Sequence, residues 1–157
     1  MRNRACKTFV VTAGILALFS GLALFSGVAW AAGRHDFNGT WRLVAPRSTF
    51  NGEPEMTAGT VIINDFEDKI SLAENFTYAN PLQQATASFS ISGRHNEKIR
   101  QGDLEARAKW DHETLEVDAT ESGVPQVQRF NLLPDGTMMM TLERPGHQAV
   151  SLLFERQ

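Results

Sequence analysis

The stretches ATASFSIS (residues 85–92) and LEARAKW (residues 104–110) decide the fold. In the first, Ala85, Ala87, Phe89 and Ile91 alternate with Thr86, Ser88, Ser90 and Ser92. In the second, Leu104, Ala106, Ala108 and Trp110 alternate with Glu105, Arg107 and Lys109. Successive side chains of a strand point to opposite faces, so each segment has one apolar and one wet face. The same rhythm recurs from Thr60 to Phe154, and nothing after Gly33 keeps a helical period.

Working outward, the spacing predicts strands over Gly39–Ala45, Thr60–Phe66, Lys69–Thr77, Ala85–Ser92, Leu104–Trp110, Glu113–Thr120, Gln126–Leu133, Thr137–Glu143 and Gln148–Arg156. Glu67-Asp68, Asp111-His112, Gly123-Val124-Pro125, Pro134-Asp135-Gly136 and Arg144-Pro145-Gly146 read as turns, and Asn80-Pro81 as a break. Pro46 to Gly59 reads as a long loop, and Gly93 to Asp103 as a charged connection with room for one helical turn. The expected fold is all-β, an antiparallel up-and-down meander of about eight or nine strands. Long free edges invite aggregation, so the first strand is expected to close onto the last, giving a barrel or a tightly curled sheet.

The chain has 157 residues, and the first 32 read as a signal peptide. Arg2, Arg4 and Lys7 precede an uncharged apolar run from Phe9 to Ala29, and Ala29-Trp30-Ala31 offers small residues where a signal peptidase reads. Cleavage is expected after Ala31 or Ala32; an uncleaved membrane anchor is the other reading, since about 20 apolar residues can span a bilayer. Residues 33–157 then form one exported domain, periplasmic or secreted, with no membrane span. Removing the three leader cations leaves 12 basic against 18 acidic residues, which argues against a nucleic-acid partner. The single cysteine, Cys6, goes with the leader, so disulfides and thiolate chemistry are excluded from the remainder.

Asn38-Gly39-Thr40-Trp41 opens the first strand, and Phe154-Glu155-Arg156-Gln157 ends the last. The first of these resembles the G-x-W signature near the start of lipocalins, and the whole of Phe37–Gln157 resembles the lipocalin-like families of small exported bacterial β-barrel proteins. In lipocalins the tryptophan plugs the closed end of the barrel and a late arginine stacks across it. Arg156 shares parity with Val150, Leu152 and Phe154, so Trp41 and Arg156 are expected to form a barrel-closing pair. The resemblance also implies a small apolar molecule bound in the interior. The long helix that often packs outside lipocalin barrels has no counterpart in this sequence.

Parity alone nominates Phe89, Trp110, Phe130, Met138, Met140, Leu152 and Phe154 to line that interior, with Glu74 and Gln128 as polar residues among them. If Glu74 is enclosed, its pKa should rise or it should meet a cation. The plainer reading leaves it wet, near the end of its strand. His35, His95, His112 and His147 fall outside the strands without ligand spacing and read as solvated, so no metal and no cofactor are expected. Asp65 and Glu67, like Glu116 and Asp118, read as surface carboxylates, and no G-x-S-x-G occurs.

The function expected is non-catalytic binding of a small hydrophobic or amphipathic ligand. One alternative is a solid-core envelope module acting through its surface, separated by an interior below about 300 Å³. The other is an enzyme, for which His95 and Glu97 would have to converge with a further titratable group.

Overall fold

The computed structural model describes residues 33–79 and 86–157; the leader, Cys6, the Asn80-Pro81 break and Ala85 lie outside them. Ten antiparallel strands follow one another: β1 (Gly39–Leu43), β2 (Met56–Phe66), β3 (Lys69–Tyr78), β4 (Thr86–Arg94), β5 (Ile99–Gln101), β6 (Leu104–Asp111), β7 (Thr114–Glu121), β8 (Val124–Leu132), β9 (Met138–Glu143) and β10 (Val150–Arg156). The spatial order is β4-β3-β2-β1-β10-β9-β8-β7-β6-β5. Each strand therefore pairs with its sequence neighbour except at β4–β5, and β1 pairs with β10, with Trp41 opposite Arg156. This is a meander rolled into a nearly closed barrel. The join falls where chain start meets chain end, and the opening falls mid-chain.

The structure departs from the sequence reading at β5, at β2 and at the turn before β8, each for a local reason. β5 stands within the connection expected to carry a helical turn, pairing Ile99–Gln101 with Leu104–Ala106. β2 begins at Met56 rather than Thr60. A bulge between Met56 and Ala58 shifts the register, so the inward set passes from Met56 to Gly59, Val61 and Ile63 and the even alternation is broken. The turn before β8 is Ser122-Gly123, both at positive φ (49° and 81°), which matches the twist of a two-residue hairpin. Val124 and Pro125 consequently enter β8. Pro125 is tolerated there because β9 pairs with β8 only from Val127 onward, so no partner needs the missing N–H.

Inward residues pack into a single core that fills the end of the barrel where the chain enters. Phe37, Trp41, Ile63, Leu72, Phe130, Met138 and Phe154 are all buried there. A 3₁₀ turn at Arg34–Phe37 covers this end, and Trp41 Nε1 donates to the Phe37 carbonyl (2.8 Å). Arg156 sets its guanidinium 4.5 Å from the Trp41 ring centroid and donates to the Asn38 carbonyl (2.6 Å) and to the Asp36 carbonyl. The pair ties the last strand to the first and to the cover.

Candidate ligand-binding site

A cavity of about 340 Å³ occupies the opposite half of the barrel. It lies among the ends of β3, β7 and β9, the starts of β4, β8 and β10, and the loop before β2. Its apolar wall includes Met56, Phe76, Ala87, Phe89, Met140, Leu142, Val150 and Leu152. Gly59 makes that wall possible: a Cβ at this position would come within 2.6 Å of the Phe76 ring, so the glycine lets the ring lie flat on β2.

Glu74 on β3 and Gln128 on β8 form the floor. Leu72 and Phe130, one inward step deeper, belong to the packed half, while Phe76 and Gln126, one step outward, line the cavity. Five pairings separate β3 from β8 in the sheet, so the two side chains reach from opposite walls. Gln128 Nε2 donates to Glu74 Oε2 at 3.0 Å across the interior. Both residues are almost fully buried, at 2% and 3% exposure. The plainer expectation for Glu74, a wet strand end, is therefore corrected. β3 runs on through Tyr78, and the loop carrying Glu53 and Pro54 borders the cavity above it. Burial pushes the Glu74 carboxyl up to about 8, with the Gln128 hydrogen bond pulling weakly the other way. Glu74 Oε1 and Gln128 Oε1 are buried without a hydrogen-bond partner.

The mouth carries a polar fastening. Glu53 receives Arg144 through one oxygen and lies against His147 Nδ1 through the other, both at 2.6 Å. Asn51 Nδ2 adds a bond to the Ala149 carbonyl (2.5 Å). The loop before β2 is thus held to the β9–β10 turn over the cavity. Burial raises the nearby Tyr78 phenol, opposed by the Arg144 charge.

Of the nominated lining residues, Glu74, Phe89, Gln128, Met140 and Leu152 border the cavity. Phe130, Met138 and Phe154 do not: they are packed in the solid half, because parity gives the side of a strand and not the height along it. Trp110 is also corrected. It sits at the closed end, edge-on to Phe37 at 5.0 Å, with the Arg34 guanidinium 5.5 Å from its ring. There its Nε1–H donates to Asp65 Oδ2 (3.0 Å), and His95 Nε2 lies 2.6 Å from Asp65 Oδ1. Asp65 is therefore a buried carboxylate and not a surface one, and His95 is not a free loop histidine. His147 likewise has a partner. Glu97 does not join His95; it accepts the Arg94 backbone N–H (2.8 Å). Among the described residues no group of three His, Cys, Asp or Glu side chains is placed to hold a metal ion. The residues that the sequence reading did not nominate, such as Met56, Tyr78 and Arg144, sit at strand ends or beyond a bulge, where alternation stops being a guide.

Neither a protein-family model nor a curated protein sequence matches the chain. Solved structures share its fold. The wild-type fluorescent protein UnaG aligns with a TM-score of 0.55 at 14% identity, covering 77% of this chain and 97% of that one. A secretory abundant heat soluble protein from Ramazzottius varieornatus gives a TM-score of 0.58 at 11% identity over 81% and 98%. A Schistosoma mansoni fatty acid binding protein, solved with arachidonic acid, gives 0.56 at 12% over 80% and 99%. At such identities the likeness defines an architecture, a meander barrel with an interior.

Proposed function

We propose that this chain is an exported carrier that holds a small apolar or amphipathic molecule inside its barrel, without transforming it. The observation that carries the reading is the half-filled interior: one end is packed solid, and the other keeps a cavity of about 340 Å³. That volume lies within the usual range of small-molecule sites, about 300–1,000 Å³, and its lining sets an apolar wall beside polar residues such as Glu53, Gln126 and Arg144, which suits an amphipathic guest. A solid module would have carried its core through to both ends. The Schistosoma protein of the same architecture, solved in complex with arachidonic acid, is a precedent for an apolar guest on such a barrel. The lipocalin-like start and the leader support export, and the Trp41–Arg156 pair serves closure.

The test is binding of Nile red, a neutral apolar dye whose emission brightens on leaving water. The protein purified without its leader should enhance the emission in a saturable way. Ala87→Trp, which fills the cavity from β4, should abolish the enhancement while leaving the melting temperature close to that of the parent. Enhancement that survives the filled cavity would mean surface binding and would overturn the reading.

A further inference from the structure

We propose that the guest is a single-chain amphiphile held tail-inward, its apolar chain filling the cavity and its polar head left in water at the mouth beside Ser88, Glu121 and Gln126. This arrangement rests on the carrier reading and deepens it. The polar groups of the site are spread unevenly along the strands. At the inner end only Glu74 and Gln128 are polar, and they are closed to a guest. Gln128 Nε2 is spent on Glu74 Oε2, and the remaining oxygen of each side chain is buried. The other side chains at that depth, Phe76, Met140 and Leu152, are apolar and buried. A head carried to this end would lose its water and find no partner, which is the costly way to bury a polar group.

The reachable polar groups lie farther out. Gln126, one inward step beyond Gln128, and Tyr78, two beyond Glu74, are half-buried, and Glu121 is exposed. Ser88 points away from the interior, its hydroxyl donating to Asn75 (2.9 Å), yet it borders the cavity. The cavity therefore reaches the free edge of β4, where no strand is laddered to it. The loop before β2 is fastened across the other side of the mouth by Glu53, Arg144 and His147. On the β4 side a head keeps its hydration, so its bulk is of little consequence, whereas the far end of the tail has to be apolar. The tail is also limited in length. At ~30 Å³ per non-hydrogen atom, the volume of a water molecule in the liquid, the cavity of about 340 Å³ holds about 11 such atoms. A straight decyl chain matches that size.

The experiment displaces Nile red at pH 7 with 1-decanol, decyl glucoside kept below its micelle-forming concentration, and 1,10-decanediol. Decanol and the glucoside should compete at concentrations within about threefold of each other, because the sugar stays outside. The diol has to carry a hydroxyl to the inner end and should need at least about tenfold more. A decyl chain with a nitroxide head should erase the amide resonances of Ser88, Glu121 and Gln126 while those of Leu72 and Phe130 persist. A diol that matches decanol, a glucoside that fails where decanol succeeds, or loss of the Leu72 and Phe130 signals first would overturn the tail-inward arrangement. So would the failure of all three decyl compounds to displace a dye that binds. Each of these results leaves the carrier reading intact, whereas no Nile red binding at all would overturn the carrier reading itself.

Discussion

Below pH 4.5 the Glu74 carboxyl is protonated whether the chain is folded or not, and its burial then carries no ionisation penalty. Between pH 4.5 and about 8 the unfolded chain releases the proton and the barrel keeps it. Stability therefore falls as pH rises, by up to ~1.4 kcal/mol per pH unit and by a total on the order of 4–5 kcal/mol, and levels off above the folded pKa. Glu74→Gln removes the titration at nearly constant volume. Its stability advantage over the parent, measured by urea denaturation, should be small at pH 4.5 and grow steadily to pH 8; a constant difference would mean that water reaches the carboxyl. The surface carboxylates Asp103 and Asp135 and the half-buried Glu105 are shifted downward by their hydrogen bonds to Ser122, Thr137 and Lys98, away from this window. At the closed end, Asp65→Ala would leave the Trp110 N–H without its acceptor. A loss of about 1–3 kcal/mol is expected in the same assay, with a change in tryptophan emission. Alternation put Glu74 on the inward face but could not say whether it was enclosed, and it left Asp65 among the surface carboxylates, because an inward acidic residue looks the same whether its strand ends there or continues.

Strand β2 holds its place against β3 through a missing side chain. Gly59 faces Phe76, and Gly59→Ala would force that ring off the wall or the strands apart, costing about 1–3 kcal/mol as overpacking and lowering the melting temperature. The loop before β2 has a different role. Glu53 holds it to Arg144 and His147 across the mouth, but as a partly exposed group of contacts and not as core. Glu53→Ala should leave the melting temperature nearly unchanged and speed Nile red dissociation in stopped-flow measurements; an unchanged rate would mean that the dye leaves by another route. The hairpins were legible from alternation and turn residues, down to Glu67-Asp68 and Pro134-Asp135-Gly136. The bulge at Met56–Ala58 and the short β5 were not, since a bulge reverses parity and three residues hold too little alternation to see.

On the scale of the whole barrel, the first and last strands are laced together and the two middle strands are not. β1 pairs with both β2 and β10, and Arg156 adds a cation–π contact and carbonyl bonds at the join. β4 and β5 each have one laddered neighbour. Amide hydrogen exchange should therefore be slowest in β1, β2 and β10 and fastest along the outer edges of β4 and β5, because edge amides open without unfolding the barrel. Uniform protection around the ring would contradict an opening there. From the sequence alone, the strand order, the antiparallel sense and the inward face of most strands could be read, since these follow from a two-residue period and short connections, and the resemblance to lipocalins added the pairing of Trp41 with Arg156. Only the tertiary structure decided how high along each strand a side chain sits, which half of the interior is filled, that Glu74 and Gln128 meet from opposite walls, and that Asp65 is enclosed. Those are distances between segments far apart in the chain, and local alternation carries no information about them.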